Sequence, residues 1–100
     1  MLLAILSDIH ANREAFEAVL AAAEAAGAER FVLLGDIVGY GADPEWCAER
    51  TMQLAADGAI VLRGNHDDAV GNPSFSMNAT ATLALEWTRR QLGGETRAFL

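Results

Sequence analysis

The stretch Leu2-Leu3-Ala4-Ile5-Leu6-Ser7-Asp8-Ile9-His10 sets the fold class. Its five leading residues are apolar without alternation, the pattern of a strand buried on both faces, and they run straight into a polar cluster. Moving outward, the same event recurs twice. Phe31 to Leu34 is a second apolar run that empties into Gly35-Asp36. Ala59 to Leu62 is a third, and it empties into Arg63-Gly64-Asn65-His66-Asp67-Asp68.

Between these runs the apolar spacing is helical. From Asn12 to Ala26, residues Phe16, Val19, Leu20 and Ala23 recur at i, i+3, i+4 and i+7, with Asn12 as N-cap and Gly27 just past the end. Asp43-Pro44-Glu45 opens a second helix in the order cap, N1 proline, first-turn acid. Its inner face holds Cys47, Thr51, Leu54 and Ala55, and Asp57-Gly58 ends it. A Gly/Asn/Pro/Ser-rich stretch, Gly71 to Ser76, precedes a last helix from about Asn78 to Leu92, closed by Gly93-Gly94. That helix carries two apolar stripes, Leu83 with Trp87 and Ala81 with Leu85 and Leu92, so it needs partners on more than one side. The order β-α-β-α-β-α with continuous apolar strands predicts an α/β fold with a mainly parallel sheet and right-handed crossovers.

Composition narrows the functional class. One hundred residues make one domain, residues 1–100, and of the 52% hydrophobic residues 20 are alanine. No apolar run approaches the roughly 18 residues of a membrane span, and Met1 to Leu6 lacks the basic region of a signal peptide. The single cysteine, Cys47, can form neither an internal disulfide nor a cysteine zinc site, which points to the cytoplasm. A net charge of −7 argues against a nucleic-acid-binding surface. All seven basic residues are arginine, and the absence of lysine excludes a Walker-type phosphate loop and a Schiff-base enzyme. Gly39-Tyr40-Gly41 follows the second strand and lacks the third glycine of a dinucleotide fingerprint.

Open α/β sheets do their chemistry beyond the carboxyl ends of the strands. Three parallel strands bring Asp8, His10, Asp36, Asn65 and His66 to one rim, and both histidines of the chain are among them. Asp, His and Asn form the donor set of Mn, Fe, Zn, Co or Ni. Asp8 and His10, alternating at a strand end, can point to one side and grip one ion. Asp36, at the central cluster, is the natural bridge between two ions, which roughly 3.5–4 Å apart would generate a hydroxide and clamp a phosphoryl group. Taken singly, each residue has an ordinary explanation as a helix cap, a turn residue or a solvated side chain. Five such coincidences at three equivalent strand ends are harder to accept than one shared site.

Asp8-Ile9-His10, Gly35-Asp36 and Gly64-Asn65-His66-Asp67 resemble the first three signature blocks of the calcineurin-like metallophosphoesterase superfamily. The fuller wording is similar to the small phosphodiesterases of one bacterial and archaeal branch: Ser7 to Asn12, Leu34-Gly35-Asp36-Ile37-Val38-Gly39-Tyr40-Gly41 and Val61 to Asp67, with Glu86-Trp87-Thr88-Arg89. The resemblance implies the N-terminal half of an αββα sandwich with a dinuclear centre at the sheet ends. By matching positions, Asp8 and His10 would hold the first ion, Asp36 would bridge, Asn65 would bind the second, and His66 would be catalytic, contacting the phosphate or protonating the leaving group.

Two departures refine the expectation. The Ser/Thr phosphatase branch has an Asp three residues after the bridging Asp, supporting the histidine; here that position is Gly39, which favours the phosphodiesterase branch. A later Gly-His-x-His block of the family is not reached before Phe99-Leu100, so the chain is expected to stop short of it. The expected activity is metal-dependent hydrolysis of a phosphoester, a diester rather than a monoester, with two divalent ions, Mn first among them. The substrate would be a phosphoester small molecule or nucleotide, with no membrane partner. A non-catalytic scaffold that keeps the fold for protein binding is the alternative. The 100-residue chain alone is expected to be inactive and to self-associate through an uncovered sheet face.

Overall fold

Three short parallel strands stand in the order β1-β2-β3, in a computed structural model that describes residues 1–72 and 77–100. The elements run β1 (Leu3–Leu6), α1 (Arg13–Ala25), β2 (Arg30–Leu33), α2 (Pro44–Ala56), β3 (Ile60–Val61), α3 (Asn65–Gly71), α4 (Ala79–Gln91) and α5 (Gly94–Phe99). Leu3 pairs with Arg30 and Leu6 with Leu33, while Val32 pairs with Ile60 and Leu33 with Val61. The expected α/β class with a parallel sheet is the one observed, and β2, which leads to Asp36, is central.

Local chemistry explains the boundaries. The Asn12 side chain accepts a hydrogen bond from the Ala15 amide, and Gly27 takes the left-handed φ of +88° that ends α1. Pro44 occupies the first turn of α2, although the Asp43 side chain makes no capping bond. Asn78 caps α4 by accepting from the Ala81 amide.

The pleat sorts the sheet into two unlike faces. Ala4, Leu6, Phe31, Leu33 and Val61 turn toward the helices, and Leu6, Phe31, Leu33 and Val61 pack with Phe16 and Leu20 of α1 and Cys47 and Leu54 of α2. Leu3, Ile5 and Ile60 lie on the other face and are 50%, 62% and 60% exposed. The strands are therefore not buried on both sides, as their apolar runs suggest. The order β1-β2-β3 advances in one direction, and two right-handed crossovers in one direction place both helices on the same face.

Three further differences concern single elements. β3 contracts from the expected Ala59 to Leu62 to Ile60–Val61. Residues 65–71, read as a polar cluster followed by a loop, form α3, which packs against α4. Gly93-Gly94 does close α4, but it also opens α5, which rests on α2. Residues 73–76 of the Gly/Asn/Pro/Ser-rich stretch lie outside the described residues. Of the two stripes on α4, Ala81, Leu85 and Leu92 are buried, whereas Leu83 and Trp87 stay exposed. No helix among the described residues is long and apolar enough to cross a membrane.

Candidate metal centre

The site begins where β1 stops. Asp8, His10 and Ala11 have φ values of +56°, +48° and +57°, and Asp36 has +54°. Asp8 and His10 therefore do not converge by strand alternation. They sit on a left-handed turn, a conformation that Asp and His tolerate better than most residues and that clusters at functional sites. The turn is held in register with the loop after β2: the amides of Asp8, His10 and Ala11 donate to the carbonyls of Gly35, Asp36 and Ile37. First and second polar clusters thus form one bonded unit.

Within it, Asp8, His10 and Asp36 each offer a ligand atom, all within 4.8 Å of one another. His10 Nδ1 donates to the Val38 carbonyl at 3.1 Å, which leaves Nε2 as the nitrogen turned toward the two carboxylates. That nitrogen faces Asp8 Oδ1 at 3.5 Å and Asp36 Oδ2 at 3.9 Å. Two carboxylates converging on one imidazole nitrogen form a site that a cation would hold together. Nitrogen and carboxylate donors suit a divalent transition metal, so the residues fit the ion that the sequence pattern implies. The Ser7 hydroxyl, donating to Asp8 at 2.6 Å, lowers the Asp8 pKa, with His10 adding to the effect, so this carboxylate stays ionised for a cation.

Asp36 reaches in two directions. Oδ2 faces His10, whereas Oδ1 accepts from the His66 amide at 3.0 Å on α3. The close approach requires Gly64, because a Cβ there would overlap the Asp36 carboxylate. Asn65, the first residue of α3, follows directly and is exposed to solvent. His66 is buried, its ring 4.8 Å from that of His10. The structure therefore brings Asp8, His10 and Asp36 into one cluster, sets His66 against it, and leaves Asn65 at the adjoining helix start.

Two supporting residues were not singled out from sequence. Asp67 is buried, and its Oδ1 accepts from the amides of Ile37 and Val38 while Oδ2 accepts from Gly64. One carboxylate thus ties the second polar cluster to the third. Burial raises its pKa, and the three backbone donors oppose that rise. An acid at the third position of a helix, reaching back to the residue before it, is half of a capping box, and that signal was available in Gly64-Asn65-His66-Asp67. Arg89 of α4 donates to the carbonyls of Ala69 and Val70, satisfying the end of α3. No local pattern announces a partner so far along the chain.

Comparisons with known proteins identify the family. A family model described as calcineurin-like phosphoesterase matches residues 1–95. The uncharacterised protein MJ0912 of Methanocaldococcus jannaschii is 39% identical over 101 residues, covering 99% of this chain and 40% of that protein. The crystal structure of a metallophosphoesterase from Sphaerobacter thermophilus matches with a TM-score of 0.77 and 38% identity, over 97% of this chain and 39% of that one. The chain spans about 40% of the length of these relatives. A match along nearly the whole chain, joined to the convergence of Asp8, His10 and Asp36, makes this chain a member of the calcineurin-like phosphoesterase family.

Proposed function

We propose that the protein hydrolyses a phosphoester, a phosphodiester in preference to a monoester, at a dinuclear divalent centre whose first donors lie in this chain. The observation that carries the reading is the convergence of ligand atoms of Asp8, His10 and Asp36 within 4.8 Å of one another. Asp8 and His10 would hold the first ion, Asp36 would be shared between the two, and Asn65 would serve the second. Asp36 suits bridging because its two oxygens already face the first and third polar clusters. Mn, Fe, Zn, Ni and Co all suit this donor set, with Mn the first choice. When bound, such ions supply a water of lowered pKa and offset charge on the phosphoryl oxygens.

His66 supplies the proton to the leaving oxygen. Its Nδ1 is buried against Gly39 and has no hydrogen-bond partner, so Nε2 is the nitrogen left for substrate. The absence of a carboxylate behind Nδ1 is the feature that favours the phosphodiesterase branch over the Ser/Thr phosphatases. We place the protein in the cytoplasm, in keeping with a chain whose one cysteine is a buried, free thiol. The test compares metal content and turnover in the intact protein. Asp36→Asn is expected to lose bound metal at both positions. His66→Ala is expected to keep its metal while slowing hydrolysis of a poor leaving group by roughly 10²–10⁴-fold, and of an activated aryl ester far less. Two ions retained at unchanged affinity in Asp36→Asn would overturn the bridging role.

A further inference from the structure

Tyr40 has no part in the roles above, yet the fold closes tightly round Gly39-Tyr40-Gly41. Gly39 is buried with a φ of +96°, and a Cβ there would lie 2.5 Å from His66 Nδ1. A Cβ on Gly41 would overlap the backbone of His10 and Ala11. Both positions exclude a side chain, and the tripeptide threads between the first and third polar clusters. Tyr40, between them, has a φ of +67°, which a bulky residue adopts only where its surroundings impose it. Its ring lies 5.3 Å from that of His10 and 4.8 Å from that of His66, and the residue stays 51% exposed. A strained aromatic held half in water against these two histidines adds little to the core.

Tyr40 also walls a cleft of about 560 Å³ that reaches Asp8 and His10. The cleft's other charged side chains are Glu14 and Asp43, and no arginine lines it among the described residues. Extra phosphates would be repelled there, whereas an uncharged organic group would not, and a flat one would find the tyrosine ring to lie on. We propose that Tyr40 is a specificity-determining residue that stacks on a planar, nucleobase-like group esterified to a single phosphate. The substrate class is then a nucleoside-type phosphodiester and not a polyphosphate. The assignment rests on the phosphoesterase reading above.

The test measures equilibrium binding to the intact, metal-loaded protein of two hydrolysis-resistant phosphonate mimics of a phosphodiester. One carries adenosine, and the other carries the same ribose without the base. Base–aromatic stacking should make the first bind about tenfold more tightly. Tyr40→Phe should keep that ratio, and Tyr40→Leu should bring it to within about twofold while the base-free compound binds as before. Equal binding of the two compounds by the unaltered protein, a ratio that survives Tyr40→Leu, or equal loss of both compounds would overturn the proposal. Base preference without turnover of any phosphoester would remove the hydrolase reading and leave the stacking contact standing. Turnover without base preference would do the reverse.

Discussion

Asp67 shows how one side chain holds two sequence motifs in a single site. Its carboxylate takes the amides of Ile37, Val38 and Gly64, three donors that water cannot reach easily once α3 has docked. Asp67→Ala would leave all three without that partner, and each buried unpaired donor costs about 1–3 kcal/mol. Asp67→Asn keeps one acceptor oxygen but sets an amide NH₂ against the amide groups. We therefore expect both variants to lower stability, Ala by more than Asn, and both to weaken metal binding, because Asp36 depends on the same joint. Denaturant unfolding and metal titration of the two variants check this; unchanged metal affinity in Asp67→Ala would separate the joint from the site. The ligand types at Asp8, His10 and Asp36 were legible because each follows an apolar run. Their meeting at one rim was expected from the parallel strands, but the left-handed backbone at Asp8, His10 and Asp36 through which they meet was not legible, since residue type permits it without requiring it.

At the level of elements, α1, α2 and α4 were readable from cap and spacing, because their signals lie within a few residues of each other. α5 was not, because its support comes from far away. Glu45 in the first turn of α2 accepts from the Gly93 amide and the Thr96 hydroxyl, anchoring α5 from 48 and 51 residues distant. The Thr96 hydroxyl, and after it the Gly93 amide, lowers the Glu45 pKa below its ordinary 4.5. A folded-state pKa below the unfolded one gives stability that is fully present above the unfolded value and lost as pH falls through the folded value. The anchor should therefore hold at neutral pH and release α5 as pH drops below 4.5. Neighbouring Glu49, whose pKa is raised by its hydrogen bond with Glu45, takes up its proton first. Glu45→Gln should show a flatter acid limb in stability, with exchange of the α5 amides already faster at neutral pH. Parallel acid limbs for the two proteins would remove Glu45 from the account.

On the scale of the whole molecule, the sheet's bare face decides how the 100-residue chain behaves in water. Leu3, Ile5 and Ile60 lie on the side that the helices leave uncovered, and they and Leu34 and Leu62, just past the ends of β2 and β3, are each 45–62% exposed. The apolar character of both strand faces was legible in Leu2 to Leu6 and Ala59 to Leu62. What could not be read was how far one face would remain bare, since that depends on strand order. Such a patch amounts to on the order of several hundred Å², at the limit of what soluble monomers carry. Covering it is worth several kcal/mol at roughly 25 cal/mol per Å². Two copies joined face to face would bury close to the ~1,000 Å² at which specific interfaces begin. We expect the chain on its own to associate weakly, inactive and holding at most one ion, with a sedimentation mass above its 10.6 kDa as concentration rises through the micromolar range. Ile5→Lys and Ile60→Lys place charge on side chains already 62% and 60% exposed, so they should restore the monomer without loss of helix. If the unaltered chain sediments as a stable monomer, the bare face does not drive association. If the lysine variants stay associated, the contact lies elsewhere, and the exposed Leu83 and Trp87 of α4 become the surface to change next.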